Sequence, residues 1–477
     1  MGVVLALDLG TSNVKARRFD DTGAAIGEPV HQSAAIGSDG RGDVQEVVSA
    51  AEAVLDEAVR GGAVDAVAVS SAWHTLVGVD DAGRPTTELS TWLDDRAGDE
   101  AKALREAVAD ADDVHQRVGA PIHPSFPSAR ILWLARHDPA AFKATHRWCS
   151  LAELLLSRWL GADVGPSPSI ASGTGLYNQR SRSWDAELLD AIGLDVAHLG
   201  AVEDEVRTGL APDYRTRWPM LADVPWHAAQ GDGACAIFGS ACAVPGRAAL
   251  TVGTSAAVRV LSTPDRREKQ PLPTALFGYL VETDTPVVGA ARSNAGAAVA
   301  WAAEVVGLTG IDAVADATKD RTPGGHNLVV DPSLITERSP RWPLMPSATF
   351  GGVRRTTTRI DIIQAFVEAV AFGIADAVDA LEAWAGPQQL VLGGGASTSA
   401  AWRQLLADVM GRSIECSPVS DESARGAAIV ASARMGVPAP PVSRSDVVVE
   451  PDPSRAAAYA EVRPAQTTVS FGASWGP

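Results

Sequence analysis

A short turn near the start of the chain carries residue types that bind phosphate. Gly10, Thr11 and Ser12 follow an apolar run and precede an alternating one, which predicts strand, turn and strand. The glycine spacings of P-loops and dinucleotide folds are absent. Backbone N–H groups and hydroxyls of such a turn can point at phosphate oxygens. Asp8 would repel bare phosphate but suits a phosphate that arrives with Mg²⁺, although an ordinary hairpin is the alternative.

The same layout recurs about half a chain later. Gly253, Thr254 and Ser255 again stand between an apolar run and a second predicted strand. One phosphate-binding hairpin repeated at half-length predicts duplicated halves that hold one nucleotide between them.

A third glycine-rich turn, at residues 393–395, joins a predicted strand to a predicted helix. Consecutive glycines allow a flat ring to lie on the backbone, with Ser397 and Ser399 nearby as polar contacts. A plain strand-to-helix turn is the alternative, but together with the two hairpins we interpret this segment as an adenosine site.

Asp232 stands between Gly231 and Gly233, so a ligand could approach its carboxylate closely. Small residues at 234–240 then predict a buried helix. Phosphoryl transfer to an alcohol requires a group that accepts the hydroxyl proton. Asp232 is the candidate because it lies just before the second hairpin, whereas an isolated Asp between glycines is more often a turn residue.

The 477 residues suffice for two or three domains. We expect a first domain at 1–243, a second domain at 244–440 and a C-terminal tail at 441–477. A long helix is predicted over about 359–385 and ends at Gly386. The tail is rich in proline and without clear periodicity, so we predict a loose surface strap or partial disorder.

Composition narrows the possible partners. A net charge of −18 argues against nucleic acid. No window approaches eighteen consecutive apolar residues, and no basic-then-apolar leader precedes the first strand, so we expect neither a membrane span nor a signal peptide. The four cysteines are scattered without metal-ligand spacing, which favours reduced thiols in a cytoplasmic protein.

Three stretches resemble the first phosphate, second phosphate and adenosine motifs of the FGGY carbohydrate kinases. They read LALDLGTSNVKARRFD, ALTVGTSAAVRVL and LVLGGGASTSAAWRQLLADVMGR. The resemblance runs from residue 3 to about residue 435. It implies an α/β fold of two actin-like (ribonuclease H-like) domains with a nucleotide cleft between them. APIHPSFPSARILWL and SIASGTGLYNQRSRSWD are most similar to the gluconate kinase branch.

The resemblance implies ATP and Mg²⁺ as cofactors and gives roles to single residues. Asp232 would be the general base, Asp8 would hold Mg²⁺ through water, and Lys15 would face the phosphates, unless it is a solvated strand residue. The remaining nucleotide contacts would come from the three turns: Gly10, Thr11, Ser12, Gly253, Thr254, Gly394, Gly395 and Ser397.

The sugar pocket implied by the resemblance lies mainly in the first half of the chain. His74 matches the substrate-binding histidine of the family, although a histidine there is otherwise more often a packing residue. Trp73 replaces the typical methionine and Ala72 the typical glutamine, so the pocket should differ in shape. Asp94 is expected to contact a sugar hydroxyl or to form an ion pair with Arg96.

Two further candidates lie in the stretch that resembles gluconate kinases. His123 and Arg130 could bind the carboxylate of a sugar acid. Arg130 could equally be a surface residue.

These features predict an ATP-dependent kinase that phosphorylates the terminal primary hydroxyl of gluconate or a similar sugar acid. Alternatives are a kinase for xylulose or another ketose or polyol, a non-catalytic sugar sensor and an actin-like assembling ATPase. The partner would be a small sugar or sugar acid, and the resemblance favours a homodimer.

Overall fold

The computed structural model describes residues 2–346, 348–442 and 445–469. It divides into two compact units. Unit 1 comprises Met1–Val244, Leu261–Val288 and Asp421–Ser443, and unit 2 comprises Pro245–Val260, Gly289–Ser420 and Arg444–Pro477. The predicted domains are continuous in sequence, whereas these units are not. Residues 261–288 and 421–443 fall in unit 1 because they make their contacts there.

The described part of the chain contains the strands β1 (Val3–Leu9), β2 (Asn13–Asp20), β3 (Ala25–Ser33), β4 (Arg41–Gly42), β5 (Ala66–Ser71), β6 (Val77–Val79), β7 (Leu89–Ser90), β8 (Arg147–Cys149), β9 (Tyr177–Asn178), β10 (Ser183–Trp184), β11 (Gln230–Gly231), β12 (Arg247–Val252), β13 (Ala256–Leu261), β14 (Phe277–Glu282), β15 (Thr285–Arg292), β16 (Val329–Asp331), β17 (Thr349–Gly351), β18 (Gln389–Gly393), β19 (Ile414–Cys416) and β20 (Val448–Val449).

The helices are α1 (Val44–Ala58), α2 (Gly98–Ala107), α3 (Ala111–Val118), α4 (Pro127–His137), α5 (Pro139–Ala144), α6 (Leu151–Leu160), α7 (Pro168–Ser172), α8 (Ala186–Ile192), α9 (Pro212–Arg217), α10 (Asp232–Gly239), α11 (Pro264–Lys269), α12 (Gly296–Val305), α13 (Gly310–Thr318), α14 (Arg359–Ala385), α15 (Ala400–Met410), α16 (Glu422–Arg434) and α17 (Pro453–Val469).

The main sheet of unit 1 has the strand order β11-β5-β1-β2-β3. Strand β1 pairs antiparallel with β2 and parallel with β5, and β11 runs parallel to β5. Leu5 and Leu7 of β1 are completely buried, as expected for a central strand that is covered on both faces.

A second large sheet has the order β14-β15-β13-β12-β18-β19-β20. Here β12 pairs antiparallel with β13 and parallel with β18. This repeats the pairing of β1 with β2 and β5. The duplicated layout predicted from the two Gly-Thr-Ser turns is therefore confirmed at the level of strand pairing.

The long helix α14 confirms the predicted range. Thr358 accepts a hydrogen bond from the backbone of Asp361, whose side chain in turn accepts from the backbone of Thr358, so the first turn is capped. Gly386 ends the helix. The apolar positions of α14 are buried, which makes this helix part of the core of unit 2.

The prediction of a loose C-terminal tail is wrong for residues 445–469. Strand β20 pairs with β19, and α17 packs within unit 2. Tyr459 is 1% exposed. Arg455 donates to Asp408 at 2.9 Å, and Arg463 bonds Asp376. A buried aromatic ring and two half-buried arginines hold this helix, and its sequence therefore lacks an apolar stripe. Residues 470–477 lie outside the described residues.

Apolar side chains fill the interior of each unit. The four cysteines are buried, and none of them is in a disulfide bond. Within the described residues, no single helix is long and apolar enough to cross a membrane. The bent helix pair Gly296–Val305 and Gly310–Thr318 has the required length and apolar composition only when its two helices are taken together.

Candidate active site

Three strands of unit 1 bring predicted site residues to the same edge of its sheet. Asp8 of β1 lies beside Ser70 of β5, and Ser70 lies beside Gln230 of β11. The strands are parallel, so the segments that leave their carboxyl ends emerge together. These segments carry the first glycine turn, Trp73 and Asp232, respectively. Ligands of open α/β sheets bind at this kind of edge.

The first turn is closed tightly, as the sequence predicts. The amide of Gly10 donates to the carbonyl of Asn13 at 3.1 Å. A Cβ atom at Gly10 would lie 2.8 Å from that same carbonyl oxygen, so a side chain would disturb the turn. Thr11 is half-buried and Ser12 is exposed, so both hydroxyl groups are available to a ligand.

Asp8 lies in an acidic environment. Ser70 donates a hydrogen bond from its hydroxyl to the carboxylate at 2.8 Å. Burial, with Asp232 and Asp421 nearby, raises the pKa of Asp8 to about 7, although Ser70 and Lys15 oppose the shift. A bound cation stabilises the charged form of carboxylates that lie near one another.

This environment fits a magnesium ion that keeps most of its own water. Among the described residues, no three His, Cys, Asp or Glu side chains are grouped as a metal site. Mg²⁺ is commonly bound by one or two carboxylates together with water and substrate phosphates. Burial is the main cause of the raised pKa of Asp8, so a nearby cation would stabilise the charged form of this carboxylate.

Asp232 is the first residue of α10, where the helix dipole favours a negative charge. The amide of the preceding Gly231 donates to the hydroxyl of Ser169 at 3.0 Å. The hydroxyl of Ser423, from α16, donates to the main-chain carbonyl of Asp232 at 3.3 Å. These bonds fix the backbone of the candidate base from both sides.

Trp73 packs against the backbone that carries Asp232. A Cβ atom at Gly231 would lie 2.0 Å from the indole, and one at Gly173 would lie 2.5 Å from it. The indole N–H donates to the carbonyl of Ser169 at 2.9 Å, and the ring meets Tyr279 edge-on at 4.9 Å. The indole is therefore held in a slot between two glycines.

His74 is buried next to Trp73. Its Nδ1–H donates to the carbonyl of Gly173, which leaves Nε2 as the acceptor nitrogen. The ring makes edge contacts with Phe126 at 4.8 Å and Tyr279 at 5.5 Å. The backbone of His74 has φ 66°, in the left-handed region.

Asp94 forms the ion pair that the sequence allowed as an alternative. Both carboxylate oxygens accept from Arg96 at 2.8 Å, and the Arg96 guanidinium stacks over Trp133 at 4.1 Å. Asp94 and Arg130 line one cavity of about 580 Å³, whereas His74 lines another. Asp94 and His74 therefore line different cavities of unit 1.

Arg130 and His123 are both in the interior. Arg130 is 3% exposed, so the alternative of a surface residue is wrong. Its guanidinium donates to oxygens of the protein itself, among them the hydroxyl of Ser90 at 2.7 Å. His123 is completely buried, and its Nδ1 accepts from the amide of Ser125 at 3.2 Å.

The second phosphate turn, at residues 253–255 of unit 2, packs against the first turn of α12. The amide of Gly253 donates to the carbonyl of Ser255 at 2.8 Å and closes the turn. The amides of Gly296 and Ala297, from the first turn of α12, donate to the carbonyls of Gly253 and Thr254. Thr254 is exposed, so its hydroxyl group is available to a ligand.

The glycine turn after β18 lies next to that hairpin. Gly394 has φ 73°, and a Cβ atom there would lie 2.7 Å from the carbonyl of Val252. Gly395 faces open space. The hydroxyl of Ser397 donates to the carbonyl of Gly394 at 2.7 Å, so it stabilises its own turn. A cavity of about 560 Å³ is lined by residues of both turns and by neighbouring helices: Gly253, Thr254, Gly296, Gly395, Ser399 and Trp402.

The structure adds residues that the sequence did not single out. Asp421, which precedes α16, lies 3.5 Å from the Nζ atom of Lys15 and accepts from Arg17 at 2.8 Å. Gly296 is among the residues that line the cavity in unit 2. No local pattern indicates Asp421, because it meets the first hairpin from about four hundred positions away.

Two glycine hairpins of matched strand pairing, with a glycine turn beside the second, define a nucleotide-binding protein. Models of the FGGY family of carbohydrate kinases match the chain over most of its length. The N-terminal domain model matches residues 3–239, and the C-terminal domain model matches residues 248–435. The chain belongs to this family, and it is therefore an ATP-dependent sugar kinase of two-domain actin-like fold.

Individual relatives resemble the chain over nearly its full length. The gluconokinase of Bacillus subtilis (strain 168) is 24% identical over 449 residues, which cover 90% of this chain and 86% of that protein. The ligand-bound xylulose kinase of Lactobacillus acidophilus has a TM-score of 0.87 at 22% identity and covers 99% of both chains. The gluconate kinase of Lactobacillus acidophilus has a TM-score of 0.85 at 22% identity, covering 98% of this chain and 97% of that one.

Proposed function

We propose that the protein transfers the γ-phosphate of ATP to the terminal primary hydroxyl of gluconate or a similar sugar acid, with Asp232 as the general base. The observation that carries this proposal is the sheet edge of unit 1. There, Asp232 and Asp8 are close enough for the Asp232 charge to raise the pKa of Asp8. Trp73 and His74 follow the strand between them.

We assign each residue of unit 1 a different role in the reaction. Asp232 accepts the proton of the sugar hydroxyl as its oxygen attacks phosphorus. Thr11, Ser12 and Lys15 hold the transferring phosphoryl group. Asp8 would hold Mg²⁺, which when bound neutralises charge on the phosphate oxygens.

The residues of unit 2 hold the rest of the nucleotide. Gly253 and Thr254 contact phosphate oxygens, and Gly394, Gly395 and Ser397 carry the adenosine. The support for this assignment is the single cavity that Gly253, Thr254 and Gly395 line together. Ser397 has the weakest support, because its hydroxyl already donates to Gly394.

The acceptor is held by residues of unit 1. His74, Trp73, Asp94 and His123 are the proposed contacts, with Nε2 of His74 accepting a hydrogen bond from a sugar hydroxyl. The resemblance of several stretches to gluconate kinases favours a sugar acid. Asp94 contributes less directly, because both of its oxygens accept from Arg96.

A kinase for xylulose or another ketose or polyol is the second candidate. The observation that favours it is the set of hydrogen bonds made by Arg130, which the sequence predicts as the partner of a carboxylate. Its two terminal nitrogens each donate to two oxygens of the protein, so this cation has no amino group to spare for a sugar acid.

A panel of acceptors tests the two candidates against each other. ADP release is measured with gluconate, related sugar acids, xylulose, other ketoses and glycerol, each over a range of concentrations. The proposal expects the highest kcat/KM for gluconate or another sugar acid. A higher value for xylulose or a polyol would establish the second candidate, and acceptor-independent ADP release throughout would favour a sensor or an assembling ATPase.

A cytoplasmic location and a homodimer complete the proposal. The four buried cysteines, none of them in a disulfide bond, support a reducing compartment. Light scattering on the purified protein measures the mass, and a monomer at every concentration would contradict the dimer.

A further inference from the structure

Arg130 of α4 binds an unusual number of oxygen acceptors in the interior of unit 1. Its Nη1 atom donates to the hydroxyl of Ser90 at 2.7 Å and to the carbonyl of Thr91 at 2.9 Å. Its Nη2 atom donates to the carbonyl of His74 and to the carbonyl of Ser125 at 3.2 Å. The side chain is 3% exposed, so these acceptors replace water around the charge.

The acceptors belong to three separate segments of the chain. His74 follows β5, Thr91 follows β7, and Ser125 precedes α4. Each segment carries one of the predicted sugar-binding residues, because Asp94 lies three positions after Thr91 and His123 lies two positions before Ser125. One guanidinium group therefore joins the segments that bear His74, Asp94 and His123.

The backbone of His74 depends on this anchor. Its φ of 66° is in the left-handed region, which a residue with a Cβ atom adopts only at a cost in free energy. Two of the hydrogen bonds of His74 hold it there. One joins the carbonyl of His74 to Arg130, and the other joins its Nδ1–H to the carbonyl of Gly173.

The chemistry of the site calls for arginine in particular. A planar guanidinium presents donors in a fixed fork, whereas the ammonium of lysine is a point donor on a flexible stem. The acceptors that contact Arg130 are neutral oxygens, and Asp94, the nearby carboxylate, is bonded to Arg96. A buried cation bonded to neutral groups is costly, which points to a functional reason for keeping it.

We propose that Arg130 is a positioning residue of the sugar pocket, which holds the main chain of His74 so that Nε2 faces the acceptor. It acts through the main chain of His74, since both terminal nitrogens donate to oxygens of the protein. The proposal rests on the function proposed above and extends it to the control of acceptor affinity.

Kinetics of Arg130→Lys test the proposal, with the best acceptor from the panel as the substrate. The variant keeps the charge but loses the fork. We expect the KM for the acceptor to rise at least tenfold while the KM for ATP stays within twofold of the wild-type value. Ser90→Ala removes a single acceptor of the guanidinium and, as the milder change, should raise the KM for the acceptor two- to fivefold.

Arg117→Lys is the matched control. Arg117 is also in unit 1, where its side chain is 11% exposed, but it donates to the carboxylate of Asp185 at 2.6 Å. This control should lower Tm without changing the KM for the acceptor. An unchanged acceptor KM in both Arg130→Lys and Ser90→Ala, or a parallel rise in the KM for ATP, would overturn the proposal.

Hydrogen exchange gives a readout that does not depend on activity. Peptides that cover residues 72–76 and 89–94 should exchange several-fold faster in Arg130→Lys than in the wild type, and at the wild-type rate in Arg117→Lys. Unchanged exchange would refute the positioning role even if the kinase activity holds. Faster exchange in a protein that phosphorylates no sugar would refute the proposed function and leave the anchoring of His74 intact.

Discussion

Asp232→Asn changes the candidate base while keeping its shape. The amide cannot accept the hydroxyl proton, so kcat should fall by roughly 10²–10⁴-fold. The nucleotide contacts assigned to unit 2 are untouched, so ATP should still bind. Acceptor-dependent ADP release and calorimetric titration with ATP measure the two effects.

Asp213→Asn is a suitable control for that substitution. Asp213 is an exposed acid in the first turn of α9, within the same unit. Its variant should turn over like the wild type. Normal turnover of Asp232→Asn would instead remove Asp232 as the base and return the assignment to the other acids near Asp8.

Gly231→Ala tests the contact between Trp73 and the backbone of the base. The added methyl group would meet the indole at 2.0 Å, so either the ring or the start of α10 must move. We expect a loss of about 2 kcal/mol in the free energy of unfolding. The KM for the acceptor should rise as well. Urea unfolding measures the loss of stability, and steady-state kinetics measures the KM.

The double variant Gly231→Ala with Trp73→Ala separates crowding from any other effect of the alanine. Removal of the indole leaves room for the new methyl group, so the two losses in stability should not add. Fully additive losses would show that the ring does not occupy the slot between Gly173 and Gly231.

The elements that follow local rules could be predicted from the sequence. The hairpin of β1 and β2, the hairpin of β12 and β13, and α14 are each specified by alternation, helical periodicity or capping within one short stretch. The first and third glycine turns follow a local rule as well, because a Cβ atom would lie 2.8 Å from a carbonyl oxygen at Gly10 and 2.7 Å from one at Gly394.

Elements fixed by distant contacts could not be predicted. Helix α16 falls in unit 1 because its residues meet the first hairpin and α10, and Asp421 reaches Lys15 in this way. The burial of Arg130 also depends on segments on either side of it in sequence. Nothing in a short window distinguishes such an arginine from one on the surface.

Helix α17 gives a prediction about the C-terminal tail. Tyr459 is 1% exposed, and its hydroxyl donates to Glu368 of α14 at 3.3 Å. Tyr459→Ala removes a buried ring and should lower the free energy of unfolding of unit 2 by about 3 kcal/mol. Tyr459→Phe loses the hydrogen bond alone and should cost about 1 kcal/mol. Urea unfolding checks both values, and a Tyr459→Ala variant as stable as the wild type would contradict the docking of α17.

The stability of the whole molecule should depend on pH through two buried histidines of unit 1. Burial lowers the pKa of both His115 and His227 from 6.5 to about 4. Arg267 also lowers the pKa of His115, and Arg434 that of His227. Both rings are therefore neutral in the folded protein at pH 5, whereas the unfolded chain is protonated there.

The sign of the effect follows from this difference. Between pH 6.5 and pH 4 the unfolded chain binds more protons than the folded one, so the stability that is present above pH 6.5 is lost as the pH falls. At pH 5 each histidine should cost about 2 kcal/mol. His115→Gln keeps an N–H donor for the carbonyl of Leu276, to which Nε2 donates at 2.8 Å, but it cannot titrate.

The comparison of urea midpoints at pH 7 and pH 5 isolates the contribution of His115. The wild type should lose about 2 kcal/mol more than His115→Gln between the two pH values, while His31→Gln, an exposed position on β3, should follow the wild type. The same pH dependence in wild type and His115→Gln would mean that His115 is not held neutral in the interior. Because His115 bonds the segment just before β14, the result also reports on how firmly residues 261–288 are joined to the rest of unit 1.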